Sequence, residues 1–154
     1  MALGSAFPRG FLEAHIQRQL QPGTVIKMRQ TMDDGAMHEK RFVVVAVSEH
    51  TVTFVINTAI SAFLQARPAL LKCQVVMPVA DHNFMSHDSH VDCSRTRSYA
   101  TQEVIRDLAT QPNWVLGPIS DNLREAMVAA IKFSPTLSAR EAKQLCQSLQ
   151  KNYS

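Results

Sequence analysis

The chain is short of the features that announce a specialised architecture. It has three cysteines in 154 residues, Cys73, Cys93 and Cys146, far apart and odd in number. No C-x-x-C pair occurs. This argues against a disulfide framework or a zinc ribbon, and for buried free thiols in a reducing compartment. No apolar run reaches the roughly 18 residues needed to cross a bilayer, so no membrane partner is expected. Met1-Ala2-Leu3-Gly4-Ser5 has neither a basic start nor a long apolar stretch. It does not read as a signal peptide, and the expected compartment is the cytoplasm. The G-x-S-x-G elbow, the P-loop and G-x-G-x-x-G are missing, and with them the usual marks of hydrolase, nucleotide and dinucleotide chemistry. Internal repeats and low-complexity tracts are missing too. Charge excess is slight: sixteen Lys and Arg stand against thirteen Asp and Glu, a net +3. That permits a nucleic-acid partner without requiring one.

What remains is an ordinary globular composition, 45% apolar and 19% charged, which excludes disorder for most of the chain. The length suits a single domain with its own core. Phe11, Leu12, Ile16 and Leu20 are spaced for a helix over residues 8–21, which Pro22-Gly23 ends. Residues 24–29 alternate as a strand, and Asp33-Asp34-Gly35 marks a turn inside a polar loop over 30–40. Residues 41–47 and 51–57 are β-branched runs that read as central strands joined by a tight turn at Glu49-His50. Ala59–Leu64 is spaced for a helical turn. Residues 72–77 read as a further strand ended by Pro78, and 89–93 as a short one.

The last third changes character. Thr101 is placed to cap a helix through Ala109. Trp114–Ile119 reads as a short extended piece, 121–133 as a helix, and Ser138 with Glu141 as a capping box for a final helix. That final helix has a thin apolar side of Ala142, Leu145, Cys146 and Leu149. Strands followed by helices make a segregated α+β pattern, suited to a small antiparallel barrel. The expected organisation is an N-terminal helical extension over 1–21, a barrel over 22–100 and C-terminal helices over 101–154.

Two constellations could carry chemistry. The segment with His82, His87, Asp88, His90, Asp92 and Cys93 holds donors that bind transition metals, but its spacing matches no closed zinc pattern. It reads as a polar loop leading into a strand, with no metal; a metal-dependent hydrolase on His82, His87, Asp88 and His90 is the rival. The second constellation is Arg41 and Thr58, nearly symmetric about residue 49.5. A hairpin turning there brings them together, an arginine fork and a hydroxyl able to hold one phosphate. The loop over 30–40, with His38 and Lys40, would close over that end.

From about Pro22 to Leu137 the chain resembles the MazF/PemK family of toxin endoribonucleases. The likeness runs through Pro22-Gly-Thr-Val-Ile-Lys27, Arg41-Phe-Val-Val-Val-Ala-Val-Ser48, Thr51–Thr58, His90–Arg97, Gly117-Pro-Ile-Ser120 and Ser134-Pro-Thr-Leu137. Phe42 stands where the family has a proline after the arginine. The resemblance implies an SH3-like small barrel with C-terminal helices, acting as a homodimer. It implies metal-independent, cofactor-free cleavage of single-stranded RNA by attack of the 2′-OH on the adjacent phosphate. Arg41 would bind the phosphoryl oxygens and protonate the leaving oxygen, Thr58 would orient the phosphate, and His38 would be the base. Lys27, Arg29, Lys40, Arg67, Lys72, Arg95 and Arg97 would supply positive surface for RNA. A cognate antitoxin protein is the implied partner. Some fold relatives poison DNA gyrase without cutting RNA, so the alternative is a non-catalytic barrel that binds a protein target.

Overall fold

In the computed structural model, which describes residues 8–151, the two β-branched runs form the centre of the molecule. They are strands β2 (Met37–Val47) and β3 (His50–Asn57), paired antiparallel. The reading of Met1–Ser5 lies outside the described residues. Phe42, Val43, Val44 and Val45 are all buried because β2 is covered on both faces. Phe42 and Val44 face one apolar cluster and Val43 and Val45 the other, as the two-residue period of a strand requires.

The first cluster lies under helices α1 (Arg9–Gln19) and α4 (Thr101–Thr110), through Ile16, Leu20, Val104, Ile105 and Leu108. The second lies under α5 (Asp121–Phe133) and α6 (Ala139–Lys151), through Leu123, Met127, Ile131, Leu145 and Leu149. Two short helices, α2 (Ala62–Gln65) and α3 (Pro68–Leu71), follow β3.

Strand β1 (Thr24–Thr31) pairs with β2 on one side and with β7 (Val115–Pro118) on the other. Strand β4 (Gln74–Met77) pairs with β5 (Ser89–Asp92). The sheet order is β4-β5-β3-β2-β1-β7, and β6 (Arg97–Ala100) pairs with β3 beside β5. β6 takes the His50–Thr53 half of the β3 edge and β5 takes Ile56–Asn57. Register shifts at Val44/Ala46 and Val25/Ile26 add twist where the sheet bends. The result is an α+β fold: a curled antiparallel half-barrel with N-terminal and C-terminal helices, the class read from the sequence.

Several local readings need correction. Residues 30–40 are not a long loop: β1 runs to Thr31, β2 starts at Met37, and only a tight turn separates them. This arm projects past the core, so its side chains are polar and lack the apolar alternation of a half-buried strand. Thr101 does not cap α4. Its hydroxyl donates to the Ser48 carbonyl at 2.8 Å and lies 2.9 Å from the buried Thr51 hydroxyl, tying the helix to the β2–β3 turn. The C-terminal region also returns a strand, β7, to the sheet edge. The Ser138–Glu141 capping box is present, with the Glu141 amide 3.1 Å from Ser138 Oγ. Ser120 caps α5 in the same manner.

Among the described residues, no helix is long and apolar enough to cross a membrane.

Candidate functional site

Helices α1 and α4 cover only part of their face of the sheet. The uncovered part is the floor of an open cleft of about 700 Å3. Lys40 of β2, Val55 and Asn57 of β3, Asp92 of β5 and Arg97 of β6 line the floor. They share it because paired residues on neighbouring antiparallel strands point the same way. The β1–β2 turn with Asp33, Asp34 and His38 forms one wall, and Phe63 and Leu64 of α2 form another.

Lys40 Nζ donates to Asn57 Oδ1 at 3.0 Å and is only partly exposed. Burial, reinforced by the positive charge of Arg97, holds its ammonium below the usual lysine range. At the wall, His38 Nε2 lies 2.7 Å from Asp34 Oδ2. Asp34 Oδ1 takes the Ala36 amide at 2.9 Å, which fixes the turn, and Gly35 supplies the positive φ of 79° that the turn needs. The Asp34 carboxyl is held below its ordinary pKa, first by that amide and then by His38. Asp33 takes Arg95 Nη1 at 3.0 and 3.1 Å and Arg97 Nη2 at 3.0 Å. The Arg97 hydrogen bond leads the lowering of its pKa.

No protein-family model and no curated protein matches this chain.

Four of the residues singled out from the sequence therefore meet in one cleft: His38, Lys40, Arg95 and Arg97. Arg41 and Thr58 are not directly paired. Arg41 pairs with Ile56, because the hairpin centres on residue 49, with Val47 opposite Thr51, and the shift at Val44/Ala46 moves the register by one residue more. One position from Lys40 on the same strand, Arg41 takes the opposite face of β2. Its Nε is buried without a hydrogen-bond partner. Thr58 lies just past the end of β3, exposed, while its neighbours Asn57 and Ala59 line the cleft.

The other candidate RNA contacts are scattered. Lys27 sits 5.0 Å over the Trp114 ring and 3.9 Å from Glu39, and with Arg29 it lines a separate groove of about 220 Å3. Arg67 is stacked on Phe63, 3.5 Å from the ring centre, and Lys72 is exposed outside the cleft.

The histidine-rich segment has structural work. His82 is buried, with Nδ1 2.7 Å from the Pro78 carbonyl and Nε2 accepting the Ser120 amide at 3.0 Å. Those partners fix the tautomer with the proton on Nδ1. His82 thereby clamps the start of α5 to the turn after β4. His87 Nδ1 lies 2.9 Å from the Asp88 carbonyl and 3.2 Å from Ser89 Oγ. Among the described residues, no group of three or more His, Cys, Asp or Glu could hold a metal ion. Cys73, Cys93 and Cys146 are free and buried, and burial pushes all three thiols up, Cys93 farthest. Thiols so placed stay protonated and are poor nucleophiles.

Reasoning from sequence missed Asp33, Asp34 and Asn57 as partners of these side chains. The Asp33-Asp34-Gly35 turn signal was visible. Its position over the β5–β6 connection depends on long-range pairing that no local pattern encodes.

Proposed function

We propose that this chain is a MazF/PemK-like endoribonuclease that cleaves single-stranded RNA without a metal, and that its working site is the cleft floored by Lys40 and Arg97. One observation carries the reading. A histidine–carboxylate pair and two cations held by the sheet face the same open space, the set needed to move protons and stabilise a phosphoryl transition state.

In this scheme the 2′-oxygen attacks the adjacent phosphorus, and attacker and target share one ribose, so proximity supplies much of the acceleration. His38, oriented by Asp34, takes the 2′-OH proton. Arg97 and Lys40 stabilise the added negative charge on the equatorial oxygens. The bond from phosphorus to the 5′-oxygen breaks as that oxygen takes a proton from Lys40, which gives it up more readily than an ordinary lysine. The products are a 2′,3′-cyclic phosphate and a 5′-hydroxyl. Asn57 keeps the Lys40 ammonium aimed into the cleft. This assignment replaces Arg41 and Thr58 with Lys40 and Arg97, while His38 keeps its role as base.

The test is cleavage of a long single-stranded RNA with EDTA present. His38→Ala is expected to cut about 100-fold or more slowly than wild type, the usual worth of a general base. Unchanged cutting by His38→Ala would remove it from the mechanism. The same reading implies a homodimer, an antitoxin partner and a cytoplasmic setting. The alternative, a non-catalytic barrel that binds a protein target, draws on the exposed Phe63 ring at the cleft wall and predicts no RNA cleavage at all.

A further inference from the structure

We propose that Asp33 is a built-in competitor for the anion subsite of the cleft: its carboxylate occupies the place on Arg95 and Arg97 where a ligand phosphate binds, and must leave for that phosphate to enter. The identity of the phosphate as RNA rests on the function proposed above; the competition itself does not.

The two partners of this contact are held very differently. The Arg97 side chain is 15% exposed, on the sheet floor, whereas Asp33 is 65% exposed at the tip of the projecting β1–β2 arm. Arg97 is held by the sheet, Arg95 is as open to solvent as Asp33, and the anion is removable. Asp33 does no work in its own turn, which Asp34 and Gly35 make through the Ala36 amide. Its carboxylate oxygens instead reach 62 and 64 residues along the chain to Arg95 and Arg97.

The other carboxylates lining the cleft are committed elsewhere. Asp34 faces His38, Asp92 accepts from Gln74 and from Ser94, and Glu141 closes the α6 capping box. Arg95 and Arg97 therefore share Asp33, while Lys40 donates to the neutral Asn57 amide. Arg97 also disfavours the charged form of Lys40, so the pair gains from an anion between them. A phosphodiester carries the same single charge as Asp33 and presents oxygens that suit an arginine fork. Exchanging one for the other leaves no buried charge unpaired. Asp33 then sets a threshold: a lone weak anion does not displace it, and a ligand with several linked phosphates does.

The test is calorimetric titration of pyrophosphate, and separately of an uncleavable 2′-O-methyl RNA oligonucleotide, at low salt. Wild type is compared with Asp33→Asn, Asp33→Ala and the Asp33→Ala/Arg97→Ala double variant. Both single substitutions lie on the exposed tip, and circular dichroism checks that they fold. The expected result is pyrophosphate affinity raised about two- to fivefold by each single substitution, the range for releasing an exposed ion pair. The double variant is expected to lose that gain. Unchanged or weaker pyrophosphate binding by Asp33→Ala overturns the proposal and makes Asp33 a positioning residue for the arginines. Failure of every protein to bind pyrophosphate overturns it as well. Tighter pyrophosphate binding with no binding of the oligonucleotide leaves Asp33 a competitor and removes RNA as the ligand.

Discussion

At the residue scale, Lys40 shows a cation kept at a cost. It is partly withdrawn from water and stands in the field of Arg97, and both effects disfavour its charge. A lysine whose folded pKa lies below its unfolded one destabilises the fold while protonated. Stability therefore rises as pH climbs through the window between the lowered value and the ordinary one near 10.5. Lys40→Met keeps the aliphatic stem and removes the charge. The expected outcome is a thermal midpoint at neutral pH equal to or above wild type, with RNA cleavage reduced at least about 100-fold. Scanning calorimetry beside the cleavage assay checks both, and a clear drop in the midpoint would make Lys40 a structural residue. Individual residues such as His38, Lys40, Arg95 and Arg97 were legible in the sequence as chemistry-bearing types. Their meeting was not, because the register of β2 against β3 depends on a turn centred on residue 49 and on the one-residue shift at Val44/Ala46, which no turn signal marks. Counting symmetrically from Glu49-His50 put Arg41 opposite Thr58 and missed by two positions.

At the element scale, the sequence is read best where burial writes the pattern. The runs at 41–47 and 51–57 are buried on both faces through Phe42–Val45 and Thr53–Ile56 and gave continuous apolar strands. The outer part of the arm, Gln30–Thr31 and Met37–Lys40, is just as regular in its pairing, yet its polar side chains hid it as a loop. Helix α6 has the thin apolar side read from its sequence. That side is spent inside the chain: Leu145, Cys146 and Leu149 are buried in the main core. The guanidinium of Arg124 on α5 donates to the Leu149 carbonyl at 2.7 Å. It packs so close to Gly23, where φ is +95°, that an added Cβ would lie 2.5 Å from Nη2. Gly23 also bonds to Val44 at 2.7 Å and to Ile119 at 2.9 Å, joining β1, β2 and the start of α5. Gly23→Ala is expected to destabilise the protein by about 2–4 kcal/mol, through backbone strain and a displaced buried cation. Urea denaturation measures it, and a loss under about 0.5 kcal/mol, the range of a neutral surface change, would show that Arg124 moves freely.

At the scale of the whole molecule, the curled sheet explains why a site exists at all. A sheet with one core on each face needs helices on both. Here α5 and α6 cover one face, while α1 and α4 stop short on the other. The bare region is where β2, β3, β5 and β6 converge under the β1–β2 arm, and there the sequence places Lys40, Asn57, Asp92 and Arg97 beside Val55. The fold class was legible from the order of strands and helices. The location of the cleft was not, since it depends on β6 and β5 sharing one edge of β3.

The central claim is that RNA is cut in this cleft and not at the Arg41 end of the hairpin. Metal-free cleavage of a long single-stranded RNA, with EDTA present, separates the two when Arg97→Ala and Arg41→Ala are compared with wild type. The account predicts that wild type and Arg41→Ala leave 2′,3′-cyclic phosphate ends while Arg97→Ala leaves the RNA intact. Cutting by Arg97→Ala at the wild-type rate, or no cutting by wild type, would contradict it.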